Sequence, residues 1–102
     1  MTLRKPLPYR RLHEVLEFEH AGVAYVAGVG RFADQTIAEI FLNGPKNGTA
    51  ADVAARDAAI VASLALQHGV PLDVIRHALA RDASGSAGGP LGAVLDRLAA
   101  GG

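Results

Sequence analysis

The run Ala38-Glu-Ile-Phe-Leu-Asn-Gly-Pro-Lys-Asn-Gly-Thr49 decides how this chain is built. Its first half alternates, placing Ala38, Ile40 and Leu42 on one face, the pattern of a half-buried strand. Its second half sets two glycines around Lys46 and leads into an alanine-rich stretch that stops at Gln67-His68-Gly69. Strand signals all precede this junction and helix signals all follow it.

Upstream, Leu16 and Phe18 alternate with Glu17 and Glu19, then Val23, Tyr25, Ala27 and Val29 alternate in turn. Tight reversals at His20-Ala-Gly-Val23 and Ala33-Asp-Gln-Thr36 join the segments. The expectation is an antiparallel meander of three strands over about 14–20, 22–32 and 36–43. Downstream, Thr49-Ala-Ala-Asp52 is a capping-box-like start, with Asp in place of the usual Glu or Gln. The helix it opens spans about 49–68, because Gly69 suits the left-handed position beyond the last turn and Pro71 forbids continuation. A second helix is expected from Pro71, burying Val74, Ile75, Ala78 and Leu79. The segment Asp82-Ala-Ser-Gly-Ser-Ala-Gly-Gly89 reads as a flexible linker by composition. Pro90 then fits the first position of a last helix carrying Leu91, Val94, Leu95 and Leu98. The order βββααα makes the fold class α+β, with helices on one face of the sheet.

At 102 residues the chain is one domain, able to bury about two-thirds of its unfolded surface. It holds no cysteine, which excludes disulfides, Cys-ligated zinc and thiol chemistry and fits a cytoplasmic setting. The longest apolar run, Ala58 to Leu66, is far short of the ~20 residues of a spanning helix, so no membrane role is expected. Residues 1–12 carry Arg4, Lys5, Arg10 and Arg11 with two prolines, a basic extended arm ahead of a domain over 13–102. Net charge is zero overall, and no nucleic-acid motif accompanies those four cations, so nucleic acid is not an expected partner.

The long helix is apolar over most of its circumference. Val53, Asp57, Ile60, Val61, Leu64 and His68 share one face, and Asp52, Arg56, Ser63 and Gln67 share another. A three-stranded sheet covers one side of such a helix, and alanine faces allow close helix approach, so a homo-oligomer, most simply a dimer, is expected.

Two readings of the strand-to-helix corner stand side by side. Lys46, with Asn47, Gly48, Thr49 and the backbone amides from Asn47 to Ala51, could cradle a phosphate-containing ligand at a helix N-terminus. Alternatively the glycines simply shape the turn and Lys46 is solvated. The order of residues is not that of a Walker A loop. Asp57, placed among apolar neighbours, is either a ligand or acid/base contact or a partner for loop amides or for Arg10, Arg11 or Arg31. His13, His20, His68 and His77 lack metal-ligand spacing, so neither metal nor cofactor is expected. Ser84 and Ser86 lack a nucleophile elbow.

The run Glu39 to Thr49, the helix end Ser63-Leu-Ala-Leu-Gln-His-Gly-Val-Pro-Leu72 and the hairpin before them resemble the TSCPD domain. This domain lies near the C-terminus of adenosylcobalamin-dependent ribonucleotide reductases and also forms small stand-alone bacterial proteins. Reductase-attached members carry a Gly-Lys-x-Gly-Ser step, which Lys46, Gly48 and Thr49 match, with the first glycine displaced to Gly44. The family is named for a cysteine-containing motif that this chain lacks, so no redox cysteine carries over. The resemblance implies a non-catalytic accessory or binding module linked to ribonucleotide reductase and nucleotide metabolism. The alternative is a small nucleotide- or phosphate-binding regulator or enzyme with its site around Lys46 and Asp57.

Overall fold

The computed structural model describes residues 13–44, 46 and 48–100. The basic arm of residues 1–12 lies outside the described residues, as do Pro45, Asn47, Gly101 and Gly102. Strands β1 (His13–His20), β2 (Val23–Arg31) and β3 (Ile37–Asn43) form one antiparallel sheet in the order β1-β2-β3. Helices α1 (Ala50–Gln67), α2 (Leu72–Ala78) and α3 (Pro90–Ala99) follow. This is the βββααα arrangement that the alternation and capping signals predict.

Local chemistry explains each junction. Ala21 and Gly22 both have positive φ, 51° and 76°, the conformation of a two-residue turn whose twist matches the flanking strands. At the β2–β3 turn the Asp34 carboxylate accepts the Thr36 amide and hydroxyl, and Gln35 takes φ 74°. At the C-terminus of α1, Gly69 has φ 94°; its amide donates to Leu66 and that of Val70 to Ala65. These two bonds form a Schellman closure that satisfies the last carbonyls.

The core lies between the sheet and the helices. Tyr25, Ala27, Ile40 and Leu42 meet Ala55, Ala59, Ala62 and Leu66 of α1 and Leu91, Val94 and Leu95 of α3. The small alanines let α1 lie close against β3.

Two expectations are corrected. α2 buries none of its residues completely: Val74 and Ala78 are exposed, while Ile75 and Leu79 are half-buried against the core. With only seven residues it serves mainly to turn the chain. The glycine- and serine-rich linker is a bonded hairpin rather than a loose tether. Arg81 and Ala87 form a bridge, and the Asp82 carboxylate accepts the amides of Ser84 and Ser86 and the Ser84 hydroxyl. Gly85, at φ 87°, makes the reversal. The hairpin is fastened to α3 through Asp96, which accepts Arg81 at 2.7 Å twice and Arg76 of α2 at 2.7 Å.

Candidate functional site

The strand-to-helix corner is organised by Asp52, whose side chain is fully buried. Its Oδ1 accepts the Gly44 amide at 2.8 Å and its Oδ2 accepts the Gly48 amide at 3.2 Å. Arg56, one turn further along α1, places Nη1 3.6 Å from Oδ2. The Gly44 amide is the leading cause of a carboxyl held below its ordinary range, with Gly48 and Arg56 adding to it against the cost of burial. Thr49 is the N-cap: its Oγ1 accepts the Asp52 amide at 3.2 Å and donates to the Lys46 carbonyl at 3.0 Å. The Thr49 amide also turns back to that carbonyl, at 3.4 Å.

Of the residues singled out around this turn, Lys46, Gly48 and Thr49 are therefore brought together, with Lys46 and Gly48 exposed. Asn47 lies outside the described residues. Gly48 has φ 79°, so the glycine meets a conformational need. Two amides of the turn are committed to the chain's own carboxylate. Asp52 thereby sets a negative charge against the inner side of the turn.

Asp57 is elsewhere. It is exposed on α1 and makes no hydrogen bond or ion pair among the described residues. The expected burial among Val53, Ile60, Val61 and Leu64 does not occur, because that whole face is turned outward. Val53 is 46 % exposed, Ile60 56 %, Val61 67 % and Leu64 45 %. Arg31, one suggested partner of Asp57, instead bonds Glu14 and the Gln35 carbonyl.

The reason is the open edge of β3. Even-numbered residues of this strand turn their backbone groups away from β2, toward α1. The Ser63 hydroxyl accepts the Ile40 amide at 2.9 Å and donates to the Ile40 carbonyl at 3.0 Å. Gln67 Nε2 donates to the Ala38 carbonyl at 3.2 Å, and Asp52 takes Gly44. The helix advances about 22 Å from residue 52 to 67, and the strand about 20 Å from 44 back to 38. The two run antiparallel in step, so the polar arc of α1 serves β3 as a neighbouring strand would. An unpaired edge is both unsatisfied and sticky, and closing it outranks hiding four aliphatic side chains. Sequence reasoning identified this arc as polar but not as the buried one. The signal that could have found it is the matched spacing of Asp52, Ser63 and Gln67 against an edge strand.

No group of three or more potential metal ligands occurs among the described residues, and no described helix is long and apolar enough to cross a membrane. Comparison with curated proteins and with solved structures returns no match. The TSCPD domain matches over residues 10–100, nearly the whole chain. With the strand, corner and helix residues in the places described above, the chain belongs to the TSCPD domain family.

Proposed function

We propose that the chain is a non-catalytic interaction module which pairs with a second copy of itself through α1 and acts in nucleotide metabolism beside ribonucleotide reductase. The observation that carries this reading is the outward apolar face of α1. Val53, Asp57, Ile60 and Leu64 recur at intervals of four, three and four, the spacing of a two-helix seam, with Val61 beside them. Such a face costs free energy in water, and a two-fold axis lets one seam cover its copy. Asp57 supplies the single polar position within the seam, a residue type that fixes register when helices pair.

A non-catalytic role is supported by how the polar side chains are spent. Asp52, Ser63 and Gln67 hold backbone groups of the β3 edge and corner, and Asp82 and Ser84 hold their own turn. The association with ribonucleotide reductase rests on the family resemblance. A phosphate role for the corner around Lys46 is less favoured, since Asp52 takes the amides of Gly44 and Gly48.

Sedimentation equilibrium at tens of micromolar tests the pairing. The wild-type chain is expected at twice its 10.5 kDa mass, and Ile60→Glu and Val61→Glu at the single mass with unchanged helix content. A wild-type monomer refutes it. Co-purification of ribonucleotide reductase activity with the tagged chain from native extract tests the metabolic assignment.

A further inference from the structure

Asparagine occurs at two positions in this chain, 43 and 47, and glycine follows it each time. An Asn-Gly step is chemically fragile, because glycine has no side chain to shield its amide nitrogen from the asparagine carboxamide. At position 44 the fold itself asks for the glycine. A Cβ there would fall 3.1 Å from the Asp52 Cα and 3.2 Å from the Asp52 Cβ, closer than carbon atoms pack. The end of β3 therefore carries a fragile step for a packing reason, and Asn43 is exposed to water there.

Deamidation at this step runs through one N–H. Hydroxide takes the Gly44 amide proton and the nitrogen attacks Asn43 Cγ. The N–Cγ bond forms, the Cγ–Nδ2 bond breaks, and ammonia leaves with a proton taken from water. Water then opens the five-membered succinimide at either carbonyl, giving aspartate or isoaspartate. In the folded chain that N–H donates to Asp52 Oδ1 at 2.8 Å. The accepting carboxylate is fully buried, where charge is little screened, so a second negative charge on the adjacent nitrogen is strongly disfavoured. The bond also holds the nitrogen toward α1, while Asn43, next to buried Leu42, turns its side chain to the opposite face of the sheet.

We propose that Asn43 is a modification site which Asp52 keeps closed, and that it deamidates to aspartate or isoaspartate when the corner between β3 and α1 opens. The change is one-way. Asn43 and Glu17 pair with Val26 from its two sides, so a carboxylate at 43 adds a like charge to the row that holds Glu17. Isoaspartate also lengthens the main chain by one carbon ahead of Gly44, which moves the amide off the Asp52 oxygen.

The test is incubation of the full chain in mildly alkaline buffer below its melting range, followed by tryptic mapping with isoaspartate detection. Cleavage after Lys46 separates the peptide of Asn43 from that of Asn47. In the folded wild type, Asn43 is expected to convert at least about tenfold more slowly than in the same chain unfolded in guanidinium chloride. Asp52→Asn keeps an acceptor beside the Gly44 amide but removes the charge, and is expected to speed conversion in the folded chain by about tenfold. Ser63→Ala weakens the β3 edge away from this corner and is expected to stay within about twofold of the wild type. Equal wild-type rates with and without denaturant overturn the proposal. So does conversion in Asp52→Asn at the wild-type rate, or an acceleration that Ser63→Ala matches.

Discussion

Gly44 and Asp52 lie so close that a Cβ on the glycine would fall 3.1 Å from the Asp52 Cα. At the same point the Gly44 amide donates to the Asp52 carboxylate at 2.8 Å. The end of β3 and the first turn of α1 are thus joined by contact and by charge.

Acid titration reads this joint directly. The Asp52 pKa is lowered in the folded state, so its contribution to stability is present above the unfolded carboxylate value and is lost as pH falls through the folded one. Asp82 and Asp96 are lowered as well and add to the same acid limb. Asp52→Asn is expected to lower the melting temperature by about 10 °C at pH 7 and to flatten the fall in stability below pH ~4. An acid limb as steep as the wild type's would contradict the assignment.

The β3 edge predicts a local effect. Ser63→Ala leaves the Ile40 amide and carbonyl without their partner and is expected to cost about 1–3 kcal/mol in denaturant unfolding. Hydrogen exchange at Ile40 should accelerate while exchange in the β1–β2 hairpin changes only with global stability. Equal acceleration throughout the sheet would mean that Ser63 does not guard this edge.

Asp96 ties three segments together through Arg76 and Arg81, and the Arg81 guanidinium is the leading cause of its strongly lowered pKa. Asp96→Asn is expected to loosen α2 and the 81–87 hairpin. Exchange in these segments should rise by roughly tenfold or more, with α1 and the sheet little affected. Global unfolding without a local phase would count against this partition.

The β1–β2 turn is suboptimal. Ala21 holds φ 51°, which costs an alanine more than an asparagine. Ala21→Asn is expected to stabilise the domain by about 0.5–1 kcal/mol, visible as a rise of a few degrees in melting temperature. A fall would show that the turn is not of the primed kind.

Alternation at Phe18, Tyr25 and Ile40 made the meander legible, and Thr49, Gly69 and Pro71 marked the ends of α1. Those signals are local, so a single sequence carries them. The burial of α1 was not legible in the same way. Its orientation depends on the unpaired groups of Ala38, Ile40 and Gly44, which come from another element. Counting apolar residues therefore pointed to Val53 and Ile60 as the inner face and made Asp57 look costly. The linker was misjudged for a related reason: serine and glycine suggest looseness, but Asp82 gathers their amides into a turn.

The match of α1 to β3 makes the helix a ruler. Asp52, Ser63 and Gln67 must each arrive opposite one backbone position, and inserting a single residue between Asp52 and Ser63 would rotate the later two by about 100°. Substitutions on the outer faces leave that measure intact. The length between residues 52 and 67 is therefore the dimension of this domain least free to drift, while the hairpin at 81–87 can lengthen without disturbing it.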